Sequence, residues 1–204
     1  DAGDPRLEFS RITNGENRHG GIPESLVGTD VCIALSRPGP DTIQAGWLKA
    51  MAQDAILFAC ANPIPEIWPW EAQEAGVRIV ATGRSDFANQ VNNSLGFPGI
   101  FRGVLDVRAR TITDEMAIAA AYEIALCAEE KGLSEEYIMP TMDEWDVFPR
   151  EAVATAMKAQ EQGLTLLSKS KEQLYQEAKA AIQQSRDLLD QMMSTGFIAP
   201  MPED

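Results

Sequence analysis

Two adjacent asparagines, Asn92 and Asn93, lie in a segment that otherwise mixes apolar residues with glycines and a few charges, GRSDFANQVNNSLGFPGIFRG. A carboxamide offers two hydrogen-bond donors and an acceptor, so it can recognise a carboxylate, a hydroxyl or another amide without carrying charge. Asparagine also favours the N-cap of a helix. Because a cap explains one asparagine well and two poorly, we interpret the pair as a candidate binding site.

The candidate pair follows the last of three apolar runs that have the length of strands. Each run is unbroken rather than alternating, which is typical of strands buried on both faces of a parallel sheet. Helical patterns separate the runs, one over residues 41–53 and a shorter one that ends at Gly76. This alternation predicts an α/β fold, a doubly wound parallel sheet with right-handed crossovers. The predicted strands are Asp30–Ser36, Ala55–Ala61 and Val77–Thr82.

Each predicted strand ends in a turn that also carries polar side chains. The first is followed by RPGP after Ser36, the second by Asn62 and a proline, and the third by GRSD (83–86). Taken singly, proline and glycine here are ordinary turn residues. Ligands bind outside the carboxyl ends of the strands in an open α/β sheet, however, so three such ends side by side favour a binding crevice. For Asp86 and Arg102 we expect ion pairs instead, and the single histidine, His19, is assigned no role.

Three longer helices are predicted after the sheet, over Thr113–Leu133, Pro149–Leu164 and Lys171–Thr195. Apolar residues surround most of the first, which should therefore be largely buried. Ser170 and Gln173 have the spacing of a capping box at the start of the last one. Its apolar stripe favours docking on its own domain, with an oligomer contact as the alternative. The stripe consists of Leu174, Ala178, Ala181, Ile182, Ser185, Leu188, Leu189 and Met192.

The composition excludes several classes of partner. The chain has 204 residues with Lys+Arg 17 and Asp+Glu 31, so its net charge is −14. A surface so acidic repels a phosphate backbone, and we therefore expect no nucleic acid partner. No apolar run is long enough to span a bilayer, so no membrane partner is expected. The Cys count of 3, without metal-ligand spacing, and the polar, acidic start favour a reducing, cytoplasmic setting.

Several catalytic signatures are missing from the sequence. It contains no G-x-G-x-x-G, no P-loop, no G-x-S-x-G, no H-E-x-x-H and no Cys/His metal cluster. No histidine, lysine or tyrosine stands out as a general base. We therefore expect no catalytic residue and no metal ligand in this chain, and the crevice resembles half of a site. The polar opening without Met further suggests a fragment of a longer protein, or else a processed or trimmed chain.

Residues from about Gly21 to Ala199 resemble the malic enzyme family in the form common among prokaryotes. The segment GRSDFANQVNNSLGFPGIFRGVLDVRARTITDEM is similar to the end of the family's NAD(P)-binding domain. FACANPIPEIWPWEA resembles its ANP-x-PE strand end, and IALSRPG resembles its turn after the preceding strand, although Arg37 replaces the usual small residue. The motifs occur in the family's order and spacing.

The resemblance implies the distal half of a Rossmann-like sheet followed by C-terminal helices. Residues 1–20 would be a polar segment at a cut edge, 21–165 a partial NAD(P)-binding domain, and 166–204 a C-terminal helix and tail. Asn93 and Asn92 would bind the substrate, while Asn62, Asn92 and Ser36 would bind the cofactor.

A malic enzyme converts L-malate to pyruvate and CO2 with NAD or NADP and with Mg or Mn. The family's Tyr and Lys acid–base pair, its metal ligands and its phosphate-binding loop correspond to sequence upstream of this chain. The fragment should then be inactive alone, and the full-length protein a homodimer. The alternatives are a stand-alone dinucleotide-binding or regulatory module without catalysis, and an interaction protein that uses the C-terminal helix stripe.

Overall fold

The computed structural model describes residues 5–199. The chain divides into two compact units, Asp1–Val91 and Asn92–Asp204. The first unit combines a parallel sheet with short helices, and the second is mainly helical, so the α/β class predicted from the sequence is confirmed. The domain scheme of residues 1–20, 21–165 and 166–204 stays a prediction.

The first unit contains four helices and three strands in its described part. They are α1 (Pro5–Ile12), α2 (Ile22–Leu26), β1 (Val31–Ala34), α3 (Ala45–Leu48), β2 (Ile56–Ala59), α4 (Pro69–Glu74) and β3 (Ile79–Thr82). The strands are parallel in the order β1-β2-β3, with Val31 opposite Ile56 and Ile56 opposite Ile79. Parallel neighbours need crossover connections, and α3 and α4 lie in these two crossovers. The register also pairs Ala34 with Ala59 and Ala59 with Thr82, so the carboxyl ends of the three strands are level with one another.

The first crossover contains less helix than the sequence pattern predicted. A helix was expected over residues 41–53, but α3 has only 4 residues. The backbone N–H of Ile43 donates to the carbonyl oxygen of Glu66 at 3.1 Å, so it is not available to a helix. Asp41 and Asp54 have φ angles of 72° and 61°, outside the helical region, on either side of α3. In the second crossover Gly76 follows α4 with a φ of 100°, as expected for a helix stop.

The sheet packs one face against a continuous apolar core. That core includes Leu57, Ala59 and Val80 from the strands, with Leu48 and Ala72 from the crossover helices. The opposite face differs at β1, where Val31 is 46% and Ile33 64% exposed. The expectation that every strand is buried on both faces is therefore wrong for β1 in this chain.

Four helices form the second unit as far as the structure describes it, through residue 199. They are α5 (Asn93–Asp106), α6 (Asp114–Lys131), α7 (Val147–Glu161) and α8 (Lys171–Ser194). The sequence patterns predicted the last three but not α5, which carries Pro98 in its interior. Glycines bring α5 close to α7: a β-carbon added to Gly103 would overlap the carbonyl oxygen of Ala152 and lie 2.8 Å from the β-carbon of Thr155.

Helix α6 begins as predicted but is less buried than predicted. The side chain of its N-cap, Thr113, accepts a hydrogen bond from the amide of Met116 at 3.3 Å. Ile118, Tyr122 and Leu126 are 54%, 69% and 44% exposed, so apolar residues occupy two faces of which only one is covered in this chain. The covered face consists of Met116, Ala120, Ile124, Cys127 and Ala128.

Helix α8 confirms the predicted capping box and only part of the predicted docking. Ser170 Oγ accepts from the Gln173 amide at 3.2 Å, and Gln173 Oε1 accepts from the Ser170 amide at 3.0 Å. Leu174 and Ala178 are buried in the unit. Leu188 and Leu189 are 58% and 49% exposed, so docking along the whole stripe is wrong for the second half of the helix.

No helix in the described part of the chain is long and apolar enough to cross a membrane.

Candidate functional site

The turns after β1 and β2 are joined by one buried carboxylate, that of Glu66. Its Oε1 accepts hydrogen bonds from the amide of Ser36 at 2.8 Å and from Ser36 Oγ at 3.2 Å. Its Oε2 accepts from the amide of Ala61 at 3.0 Å. Glu66 has 0% exposure, so these donors replace the water that a carboxylate would otherwise bind. The sequence analysis missed this residue.

The carboxylate also changes the acidity of two neighbouring thiols. Burial, and after it the charge of Glu66, raises the pKa of both Cys32 and Cys60. Among the described residues both cysteines are free thiols. A thiol with a raised pKa carries little thiolate at neutral pH and is a poor nucleophile. The two cysteines are therefore not candidates for covalent catalysis.

Asn62 lies beside the turn after β3. A β-carbon added to Gly83 would be 3.5 Å from Asn62 Nδ2 and 3.6 Å from the Cys60 carbonyl oxygen, which are ordinary van der Waals distances, so the Asn62 carboxamide packs beside the backbone at Gly83. The Asn62–Pro63 peptide bond is cis. Asn62 and Ser36 are both exposed. Ser36 itself donates to Glu66, and Asn62 directly follows Ala61, which also donates to Glu66. The first unit thus brings the three predicted strand ends together.

Arg84 is occupied by partners within the first unit. Its Nε donates to Asp86 Oδ1 at 2.8 Å and its Nη1 to the Pro63 carbonyl at 2.9 Å. The guanidinium also lies 5.9 Å from the ring centre of Trp68, which stacks on Trp70 with 5.0 Å between ring centres. The ion pair expected for Asp86 is therefore present. Arg84 serves to hold the β3 turn against the β2 turn.

The two candidate asparagines stand at the start of α5, in the second unit, and have different local roles. Asn92 is the N-cap: its Oδ1 accepts from the Ser94 amide at 3.0 Å. Asn93 is the first residue of the helix and is exposed. The cap alternative weighed for the pair thus applies to Asn92. Further along α5, Arg102 Nε donates to Asp106 Oδ2 at 2.8 Å, so the ion pair expected for Arg102 is also present.

A buried acid lies in the second unit between α5 and α7. Glu151 has 0% exposure, and neither of its carboxylate oxygens has a hydrogen-bond partner of normal geometry among the described residues. Burial raises the pKa of Glu151 to about 8, and the backbone amides of Ile100 and Gly99 offset only part of that rise. A β-carbon on Gly99 would overlap this carboxylate. No sequence pattern marked Glu151, because burial of a glutamate depends on the helix that packs against it and not on its neighbours in sequence.

A tyrosine of the second unit resembles an acid–base group but is held in its neutral form. Tyr137 OH donates to Glu144 Oε2 at 2.9 Å, and Glu144 also pairs with Lys131. Burial, and then the hydrogen bond and charge of Glu144, raise the pKa of Tyr137 to about 12. A phenol of that acidity does not act as a base near neutral pH.

Metal binding finds no support in the described residues. Within residues 5–199 no group of three or more His, Cys, Asp or Glu side chains is arranged to hold an ion. The donor set therefore does not fit a Mg or Mn site. The strand ends do offer exposed carboxamide and hydroxyl groups, which suit the hydroxyls and the amide of a dinucleotide.

Comparison with known proteins identifies the sheet and the helices that follow it. Residues 40–162 match the family model "Malic enzyme, NAD binding domain". A bifunctional malic/malolactic enzyme of Bacillus subtilis is 43% identical over 176 residues, 86% of this chain and 42% of the relative. An NAD-dependent malic enzyme of Geobacillus stearothermophilus is 46% identical over 157 residues, 77% of this chain and 32% of the relative.

A solved structure agrees over nearly the whole chain. The crystal structure of Entamoeba histolytica malic enzyme superposes with a TM-score of 0.92 and 43% identity, and covers 99% of this chain and 43% of that one. The chain thus spans less than half the length of these malic enzymes. The matched region contains Asn62, Asn92, Asn93 and the buried Glu66 and Glu151. By sequence and by structure, this chain belongs to the malic enzyme family.

Proposed function

We propose that this chain supplies the distal part of the NAD(P)-binding domain of an enzyme that oxidatively decarboxylates L-malate to pyruvate and CO2. The observation that carries the proposal is the set of level strand ends after β1, β2 and β3. There Glu66 holds the amide and hydroxyl of Ser36, and Asn62, which directly follows another donor to Glu66, lies within the region that matches the family's NAD-binding model.

The proposed roles follow from the chemistry of the side chains. Ser36 and Asn62 contact the cofactor through hydrogen bonds that carry no charge. Asn92 orients the start of α5 by capping it and contacts both ligands, while Asn93 donates to a carboxylate of malate. When bound, NAD or NADP accepts the hydride that leaves malate. The acid–base groups and the ligands of Mg or Mn are assigned to sequence outside these 204 residues.

Two assays test the proposal. In the first, the full-length protein that contains this chain is incubated with L-malate, Mn²⁺ and NAD or NADP, and pyruvate and reduced cofactor are measured. We expect malate-dependent reduction of the cofactor, and its absence would overturn the function. In the second, the 204-residue chain is assayed in the same way, and we expect only background rates. Turnover well above background would overturn the assignment of the catalytic groups to other sequence.

Cofactor titration separates this proposal from a stand-alone binding module. Helix N-termini and glycine-rich loops normally hold the pyrophosphate of a dinucleotide, and no such loop occurs in this sequence. Calorimetry of the chain with NAD or NADP should therefore give a dissociation constant no tighter than about 1 mM, roughly −4 kcal/mol. A micromolar constant would favour the binding or regulatory module instead.

A further inference from the structure

We propose that Glu66 is a positioning residue that fixes Ser36 as a hydrogen-bond acceptor toward the cofactor, so that the group recognised there is a ribose hydroxyl or an amide N–H2 and not a phosphate oxygen. This inference rests on the proposed function. It concerns which chemical group of the dinucleotide the first strand end can accept. The geometry of three hydrogen bonds in the first unit carries it.

The hydroxyl of Ser36 has one hydrogen, which it donates to Glu66 in a hydrogen bond. A carboxylate has no hydrogen to give, so Ser36 Oγ is the donor in its 3.2 Å contact with Glu66 Oε1. The lone pairs of Oγ that remain can only accept. A ligand hydroxyl or amide N–H can donate to them. A phosphate oxygen cannot, because it would place a third acceptor against Ser36 Oγ and Glu66.

Glu66 also connects the first two strand ends through hydrogen bonds. The same carboxylate that holds the Ser36 amide at 2.8 Å holds the Ala61 amide at 3.0 Å, next to Asn62. The backbone supports this connection, since Ile43 N donates to the Glu66 carbonyl at 3.1 Å and Gly39 N donates to the Ile64 carbonyl at 3.3 Å. A change at Glu66 should therefore disturb both proposed cofactor contacts, whereas a change at Ser36 should disturb only one.

The negative charge reinforces the selection. Glu66 contributes to the raised pKa of Cys32 in β1 and of Cys60 directly after β2, so its field extends over both strands that it joins. A field of that sign disfavours an anionic group and favours the positive end of an O–H or N–H dipole. Hydrogen-bond polarity and charge thus select the same class of ligand group.

The test uses the full-length protein with three variants, Glu66→Gln, Ser36→Ala and the control Glu74→Gln. Glu74 is an exposed residue of α4 in the same unit, so the control makes the same change of charge without touching the strand ends. In Glu66→Gln one carboxylate oxygen becomes an amide NH2 group, which faces the N–H of either Ala61 or Ser36 and cannot accept its hydrogen bond. We expect its KM for NAD or NADP to rise about tenfold, its kcat to change less, and the amides of Ser36 and Ala61 to exchange hydrogen faster. Ser36→Ala should raise KM about three- to tenfold, the value of one hydrogen bond, and leave Ala61 exchange unchanged.

Dinucleotides that lack one ribose hydroxyl, or whose carboxamide is replaced by a group without N–H, test the polarity directly. The wild type should bind one such analogue about three- to tenfold more weakly than the parent cofactor. Ser36→Ala should bind that analogue and the parent equally, because the partner of the missing donor group is already gone. This variant removes only a hydroxyl on the surface, so it remains informative if Glu66→Gln fails to fold.

Each outcome bears on either the inference or the function beneath it. If Glu66→Gln matches Glu74→Gln in both cofactor KM and amide exchange, the positioning role is overturned. If Ser36→Ala discriminates between the analogues as strongly as the wild type does, the assignment of the ligand group is overturned. If the wild type neither binds nor reduces a dinucleotide while exchange still shows the Glu66 contacts, the proposed function fails and Glu66 is a structural residue alone.

Discussion

The carboxylate of Glu151 lies directly against Gly99, where the facing helix has no side chain to occupy the space. Because it is fully buried and neither oxygen has a hydrogen-bond partner of normal geometry in the described part of the chain, the acid is favoured over its anion. The pKa of about 8 expresses the same preference. The contact between α5 and α7 therefore favours the protonated, neutral form of Glu151.

The first prediction is that the stability of the chain falls as pH rises from about 4.5 to about 8 because of Glu151. The folded state keeps a proton that the unfolded state has lost over this range, so the contribution is fully present below pH 4.5 and lost as pH rises to 8. One proton corresponds to about 1.4 kcal/mol per pH unit. Urea unfolding between pH 5 and pH 9, at intervals of about one unit, measures the slope.

Two variants isolate the contribution of this residue. Glu151→Gln cannot ionise, so its unfolding free energy should lose that part of the slope. Glu161→Gln changes an exposed residue at the end of the same helix and should keep the wild-type slope. Equal slopes in the wild type and Glu151→Gln would show that Glu151 is ionised in the folded chain.

The second prediction concerns the close approach of α5 and α7. Gly103→Ala should destabilise the chain by about 1–3 kcal/mol, because the new methyl group meets the backbone of Ala152, which cannot move aside like a flexible side chain. Gly46→Ala in α3 is the matched control, since its β-carbon would have nothing within 4 Å. Alanine there should be neutral or stabilising by up to about 1 kcal/mol. Melting curves of the two variants compare them, and similar losses would contradict the proposed close packing.

The sequence was sufficient to predict the sheet and most helices but not the groups that join them. Unbroken apolar runs mark β1, β2 and β3 because a strand buried in a sheet needs apolar residues throughout. The structure ends β1 and β2 earlier than predicted, at Ala34 and Ala59, because the next residues turn toward Glu66. Burial of an acid is a tertiary property, so no local pattern distinguishes Glu66 or Glu151 from solvated glutamates.

The three errors about apolar surface, in β1, α6 and α8, have one physical cause. A pattern of apolar residues shows which faces of an element avoid water but not which faces this chain covers by itself. The sequence therefore predicted burial for both faces of β1, for most of α6 and for the whole stripe of α8. The structure leaves Ile33, Tyr122 and Leu188 exposed. The cap at Asn92 was predictable as an alternative, because capping depends on local spacing alone.

The third prediction separates the capping role of Asn92 from its ligand role. Asn92→Ala should cost about 1 kcal/mol of stability, because the Ser94 amide loses its acceptor. Asn92→Asp keeps an acceptor oxygen at a helix N-terminus, where a negative charge is favourable, so it should restore the stability. If Asn92 also donates to a ligand, the aspartate variant of the full-length protein should still have a reduced kcat/KM. Full recovery of both properties by Asn92→Asp would limit Asn92 to capping.

The last prediction concerns Asn93 in the full-length protein. Asn93 is exposed and is not the capping residue, so Asn93→Ala should change stability by no more than about 0.5 kcal/mol. A hydrogen bond from an amide to a carboxylate contributes roughly 1.5–3 kcal/mol. The variant should therefore lower kcat/KM for malate by about ten- to a hundredfold. Asn93→Asp, with the same shape and a negative charge facing the substrate carboxylate, should lower it further. Melting temperature and kcat/KM measured on the same samples separate a structural role of Asn93 from a role in substrate binding. An Asn93→Ala enzyme with normal kinetics would show that Asn93 does not bind the substrate.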